Sequence, residues 1–178
     1  MKAWWFSAGY TLPHGDGRPV CLGITHKMEG PIIPCKRGFH GSIYIMDALK
    51  YAPGPILWRV ELGGKIVPHE KDKLAASERT YLAGGINTTE TLREFACLCA
   101  LDVIHLWDAP EIVIQYLKTR DESLRGAAWD ATWDAARDAA RDATWDAARG
   151  AARDAAWGVA RKKQSERLEA MVLQVIGE

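Results

Sequence analysis

The sequence predicts an α+β protein: a small strand-rich N-terminal domain over residues 1–86, then an all-helical, alanine-rich region over residues 87–178. Three observations carry this. Most of the Gly and Pro residues and the short apolar runs lie in the first half. Near residue 86 the hydrophobic period changes from two to three-four. Residues 127–162 then repeat in alanine-rich tetrads. A length of 178 residues fits one ordinary domain, or one domain with a helical appendage. With 48% hydrophobic and 26% charged residues, the composition is that of a globular chain.

In chain order, a first strand is expected at 3–8. Trp4 and Trp5 are adjacent there, so one ring points inward and the other outward. The outward ring is either a stacking platform and interface anchor or a lone exposed aromatic. Weaker strands are expected at 20–25 and 37–41. A short helix at 47–51 is stopped by Pro53. The clearest strand is 56–62, whose alternation puts Ile56, Trp58, Val60 and Leu62 on one face and Arg59 and Glu61 on the other. Gly63 and Gly64 read as a turn, with 65–67 as the returning strand of a hairpin. Lys71, Lys73 and Arg79 beyond it are either a solvated charged loop or cations able to attract a phosphate.

From residue 87 the spacing is helical. Asn87 and Glu90 have the arrangement of a capping box, and Leu92, Phe95, Ala96, Cys99, Val103, Leu106 and Trp107 follow at three-four intervals. Asp108, Pro110 and Glu111 repeat the capping arrangement and open a helix to about residue 119. A last amphipathic stretch carries Leu168, Met171, Val172 and Val175. The expected core combines Ile56, Trp58, Val60 and Leu62 with Leu92, Phe95, Ala96, Cys99, Val103 and Leu106.

The tetrads of 127–162 read AAWD, ATWD, AARD, AARD, ATWD, AARG, AARD, AAWG, VARK. Alanine gives high helix propensity. Asp134–Arg137 and its repeats are favourable three-apart pairs, while Asp130, Asp134, Asp138, Asp142 and Asp146 stand four apart and repel. Charge pairing is therefore not the whole purpose. Four residues at about 100° each overshoot a turn by about 40°, so Trp129, Trp133, Trp145 and Trp157 drift around the helix. A single flat partner cannot cover all four. Either the helix breaks at Gly150 or Gly158, or several neighbours enclose it. The segment reads as a scaffold that organises a homo-oligomer through the helical half.

Charge excludes one large class of partner. Lys+Arg and Asp+Glu are 23 each, and neither half hides a basic excess, so a nucleic-acid partner is not expected. No apolar run approaches the roughly 18–20 residues of a membrane span. The N-terminal residues lack the pattern of a signal peptide. A cytoplasmic protein with no membrane partner is the expectation. Cys21, Cys35, Cys97 and Cys99 read as reduced thiols and no disulfide scaffold. Cys21-x4-His26 and Cys35-x4-His40 have a spacing outside the usual zinc signatures, so no metal is assigned. No nucleophile elbow, phosphate loop or zinc-protease motif is present, and no catalytic residue and no cofactor are assigned.

The segment CKRGFHGSIYIMDALKYAPGPILWRVEL, residues 35–62, together with KLAASER at 73–79, resembles a domain of unknown function frequent in bacteriophage genomes. The likeness spans about residues 3–82, and the alanine-rich W-D and R-D tail is similar to tails on such phage proteins. It implies a phage or prophage origin, hence a host bacterial cytoplasm, and brings no activity with it. A second likeness concerns fold. Gly-Phe-His-Gly-Ser on a strand, followed by a short helix with Ala and Tyr, is similar to the NAD-cradling part of ADP-ribosyltransferases. That likeness would place His40, Gly41 and Tyr51 around a pocket, with Glu61 or Glu78 as the catalytic carboxylate.

The candidate ligand-binding residues are Trp4, Trp5, His40, Gly41, Ser42, Tyr51, Lys73 and Arg79. The leading expectation is a phage-encoded binding protein that sequesters an NAD-derived or cyclic-nucleotide host defence signal, or else takes a host protein. An NAD-processing or other nucleotide-processing enzyme is the alternative. A purely structural, protein-interaction role is the third.

Overall fold

Five antiparallel strands, β1 (Lys2–Ser7), β2 (Thr25–Lys27), β3 (Phe39–Gly41), β4 (Ile56–His69) and β5 (Lys73–Asn87), form one sheet in the order β1-β4-β5-β2, with β3 also on β5. A short helix α1 (Ile45–Lys50) interrupts them, and α2 (Thr89–Asp102), α3 (Glu111–Thr119), α4 (Arg125–Asp142) and α5 (Gly150–Ile176) follow. The fold is α+β, as the sequence implies. The computed structural model describes the backbone of residues 1–142 and 150–177, and side chains outside 134–159. Among the described residues no helix is long and apolar enough to cross a membrane.

The chain divides into two compact units, Met1–Glu90 with Ser165–Glu178, and Thr91–Gln164. In the first, β4 and β5 are the spine. The strand beginning at Ile56 continues well past the Gly63-Gly64 pair that reads as a turn; the chain reverses instead at 70–72, where Glu70 takes a left-handed φ of 56°. The glycine pair marks a β-bulge: the register shifts between Gly63 and Ile66. Gly64 has φ 64°, and a Cβ there would lie 2.1 Å from the Ser77 Oγ, so only glycine fits. The expected return strand at 65–67 is thus the far end of β4. The strand expected at 20–25 forms only at Thr25–Lys27.

β2 and β3 lie end to end on the edge of β5 that β4 leaves open, opposite Glu78–Thr80 and Leu74–Ala76 respectively. Just past β3, Ser42 exchanges backbone hydrogen bonds with Trp4 of β1, at 2.7 and 3.0 Å. The path β1–β4–β5–β3 therefore returns to β1, giving a partly closed sheet whose ends are tied. Its apolar side holds Ala3, Phe39, Ile56, Trp58, Val60, Leu62 and Tyr81, with Leu12 and Val20 from the connecting loop. The expected β4 face is therefore core. Its other side is covered as well, since Leu57 is fully buried. The end of α5 counts with this unit and buries Leu168 and Val172, whereas Val175, expected on the same side, is exposed.

In the second unit the three-four stripe overshoots its helix. α2 ends at Asp102 and gives way to a 3-10 turn at Ile104–Leu106, where Val-Ile-His is a run of weak helix formers. Phe95 is buried, as is Cys97. Ala96, Val103 and Leu106 are exposed, and Leu92 and Cys99 are half-buried, so the expected core is wrong for the exposed three. The Asn87 Oδ1 accepts from the Thr89 backbone N–H and caps the entry to α2. The second expected cap does not form: Pro110, not Asp108, precedes α3 and makes no side-chain cap. α5 runs unbroken through Gly158, so of the two candidate break points that one is not used. The choice between one rod and two pieces turns on 143–149, and the directions of Trp145 and Trp157 on side chains within 134–159; both lie outside the described residues.

Candidate functional site

A cavity of about 470 Å³ opens within the first unit. Its deepest polar feature comes from β5, where strand alternation puts Arg79 and Tyr81 on the same face. Arg79 is only 2% exposed. Its Nε and Nη2 donate to the Tyr81 hydroxyl at 3.2 and 2.9 Å, and its Nη1 donates to the His40 carbonyl at 2.9 Å. The guanidinium lies 3.6 Å from the centre of the Trp5 ring. A desolvated cation on an indole face gains roughly 2 kcal/mol. Among the described residues no carboxylate pairs with Arg79.

Tyr81 supplies no counter-charge. Burial raises the pKa of its hydroxyl, opposed by Arg79, so it stays protonated. With its oxygen accepting from Arg79, its proton goes to the His26 Nδ1, 3.0 Å away. Burial, then the charges of Arg18 and Arg79, lower the His26 pKa and keep that ring a neutral acceptor. The chain of donors thus runs from Arg79 through Tyr81 to His26. Burial also pulls down the pKa of Arg79 itself, opposed by Tyr81. A buried, uncompensated guanidinium is costly, and an anion reaching it would recover part of that cost.

His40 lines the same cavity. Its Nε2 accepts from the Cys35 backbone N–H at 3.2 Å, which leaves the ring proton on Nδ1. Burial first, then the charges of Lys73 and Arg79, lower its pKa to about 4, so the imidazole is neutral near pH 7. At the rim, Tyr51 is exposed and its hydroxyl donates to the Asp72 Oδ1 at 3.0 Å; Asp72 also receives Lys50. The Lys73 ammonium stands 4.1 Å over the Tyr51 ring. Lys36 and Arg37 add cationic lining, and the one carboxylate of the lining, Asp16, is held by Arg18 through bonds of 2.7 and 2.8 Å. That bonding lowers the Asp16 pKa to about 2.

All eight residues singled out from the sequence, Trp4, Trp5, His40, Gly41, Ser42, Tyr51, Lys73 and Arg79, line this one cavity. Their expected settings differ in two respects. Neither Trp4 nor Trp5 is an outward ring: Trp4 is fully buried beneath Arg59, and Trp5 is half-buried beneath Arg79. Arg79 is no solvated loop residue, because residues 73–87 form β5. Gly41 and Ser42 contribute through the backbone that ties β3 to β1. The sequence reading missed Tyr81 and His26. The Arg79-x-Tyr81 parity would have revealed the first once 73–87 was read as a strand.

Glu61 lies 3.8 Å from the Met1 amino group and Glu78 pairs with Lys27 at 3.1 Å; neither lines the cavity. The Cys21–His26 and Cys35–His40 clips do not converge, and among the described residues no cluster of His, Cys, Asp and Glu is placed to hold a metal. Compared with known proteins, the chain matches no family model, no curated protein and no solved structure.

Proposed function

We propose that the N-terminal unit binds a nucleotide-derived, anionic small molecule and holds it without converting it. The observation that carries this reading is Arg79, a buried cation at the cavity wall with no carboxylate partner among the described residues. A guanidinium has five N–H donors, and three of the bonds it needs are made within the protein, leaving donors for an anion's oxygens. Lys73, Lys36 and Arg37 add positive charge around the same space. Sequestration rather than turnover is favoured because the lining carboxylate, Asp16, is already committed to Arg18. Glu61 and Glu78, the carboxylates an ADP-ribosyltransferase-like reaction would need, lie elsewhere. With the phage likeness, the proposed setting is a bacterial cytoplasm in which the ligand is a defence signal derived from NAD or a cyclic nucleotide.

Equilibrium binding of ADP-ribose and of a cyclic dinucleotide to the purified chain, followed by heat release and mass spectrometry, tests this. The expected outcome is a thermal shift with at least one of them and its recovery intact. Consumption of the ligand would overturn sequestration in favour of an enzyme. No shift with either would overturn this ligand class.

A second reading concerns the helical unit, in which Leu106, Trp129 and Trp133 are largely exposed. We propose that they meet a second copy of the chain. Light scattering should then give a multiple of 19.7 kDa, and a monomer at micromolar concentration would remove the idea.

A further inference from the structure

We propose that the cavity selects its ligand by two anionic groups joined as in a diphosphate, and not by stacking an aromatic base. The inference rests on the small-molecule reading and narrows it.

Of the aromatic rings that line the cavity, Trp4 and Phe6 are buried, and Trp5, Tyr51 and Phe39 already carry cations. Arg79 covers Trp5 at 3.6 Å, and Lys73 covers Tyr51 at 4.1 Å with Lys50 a further 5.6 Å from the same ring. Phe39 has the guanidinium of Arg18 at 5.7 Å, that of Arg79 at 5.4 Å and the His26 ring stacked at 6.0 Å. A base seeking a bare ring face would have to displace one of these cations and lose its cation–π attraction. The rings instead prop two cations, one deep and one at the rim. Neither Arg79 nor Lys73 has a carboxylate partner among the described residues, and both line the cavity. Both project from the same side of β5, and the Arg79 guanidinium leans back along it to the carbonyl of His40, which pairs with Ala75 two residues from Lys73. Two cations along one wall suit a ligand with two linked anionic groups, since the first gives the buried Arg79 a counter-charge and the second meets Lys73. A single phosphate engages only one of them.

The test is calorimetric titration of the full chain with four probes: inorganic pyrophosphate, orthophosphate, adenosine and ADP. Pyrophosphate and ADP are expected to bind within a fewfold of each other. Orthophosphate should bind about tenfold or more weaker, and adenosine not measurably. Lys73→Ala, at the half-buried rim where folding is not at stake, should weaken pyrophosphate about tenfold and leave orthophosphate nearly unchanged. Arg79→Met should remove binding of both. Protection of Cys35 from thiol reagents by pyrophosphate, in a Cys21→Ser background, would locate the probe, because Cys35 is exposed and lines the cavity. ADP binding without pyrophosphate binding, or adenosine binding as tightly as ADP, overturns the inference and leaves the small-molecule reading standing. No binding by any of the four overturns the inference, and the failure of ADP-ribose and the cyclic dinucleotide would then remove the reading beneath it.

Discussion

Tryptophan has opposite fates in the two units. In the sheet, Trp4 and Trp58 are buried and Trp5 is half-covered by a guanidinium, while on the helices Trp129 is 69% and Trp133 62% exposed. The difference follows from period. A strand returns to the same face every second residue, so β1 and β4 bring Trp5 and Trp58 opposite each other and pack both against one core. A four-residue repeat on a helix of 3.6 residues per turn drifts about 40° at each step and holds no fixed face, so nothing in the period directs Trp129 and Trp133 into a core. The sheet therefore turns aromatic area into core and site, and the described part of the tetrad helix leaves it at the surface.

The largest expected contrast uses the same truncation in both places. Trp58 sits in the apolar cluster, meets Tyr81 edge-on at 5.3 Å, and donates its Nε1–H to the Ser7 Oγ at 3.0 Å. Trp58→Ala leaves a ring-sized void and an unpaired hydroxyl, so it should cost about 3–5 kcal/mol in chemical denaturation. Next in size is Gly84→Ala. Gly84 has φ 99°, and a Cβ there would stand 2.4 Å from the Leu57 carbonyl oxygen, on the neighbouring strand where the register already shifts. Backbone cannot retreat as a flexible side chain can. A loss of about 2–3 kcal/mol is expected, with amide exchange accelerating first along β4 and β5.

A smaller, graded effect is acid sensitivity of the sheet unit. His40 titrates near 4 in the folded protein against an ordinary 6.5. Between those values the unfolded chain binds a proton that the folded chain refuses. Stability therefore falls as pH drops from about 6.5 towards 4, and below 4 this contribution changes no further. His26, lowered in the same direction, adds to the slope. Denaturation midpoints across that range should decline, and His40→Gln should flatten the decline. A slope unchanged by the substitution would assign the effect to other groups.

What was legible in the sequence divides along the same line. Ile56, Trp58, Val60 and Leu62 announced their face because burial there is apolar and periodic. Residues 73–87 did not, because Lys73, Glu78 and Arg79 carry charge and Ala75 and Ala76 favour helix; their strand is imposed by pairing with β4. That pairing is long-range, so no local window contains it. The candidate residues came together nonetheless, since Trp5, His40, Tyr51 and Lys73 each had a local signal of ring, strand or charge. The burial of Arg79 had none. Hydropathy assigns arginine to water, and only the Tyr81 hydroxyl, the His40 carbonyl and the Trp5 face explain its position. In the helical unit the error ran the other way: periodicity promised burial for Val103 and Leu106, but α2 stops at Asp102, before they can share its face.

The smallest effect sharpens the contrast most. Trp129→Ala, and Trp133→Ala with it, should change the stability of the isolated chain by no more than about 0.5 kcal/mol, because an exposed ring gives up little contact and alanine is the better helix former. If the exposed rings meet a second copy, the same substitutions should instead shift the light-scattering mass towards 19.7 kDa and make the denaturation midpoint independent of protein concentration. A loss of several kcal/mol at concentrations where the chain is monomeric would mean that the rings are buried within the chain itself. The comparison drawn from the two periods would then be wrong for the tetrad helix, while the sheet, whose rings are fixed by pairing, would be unaffected.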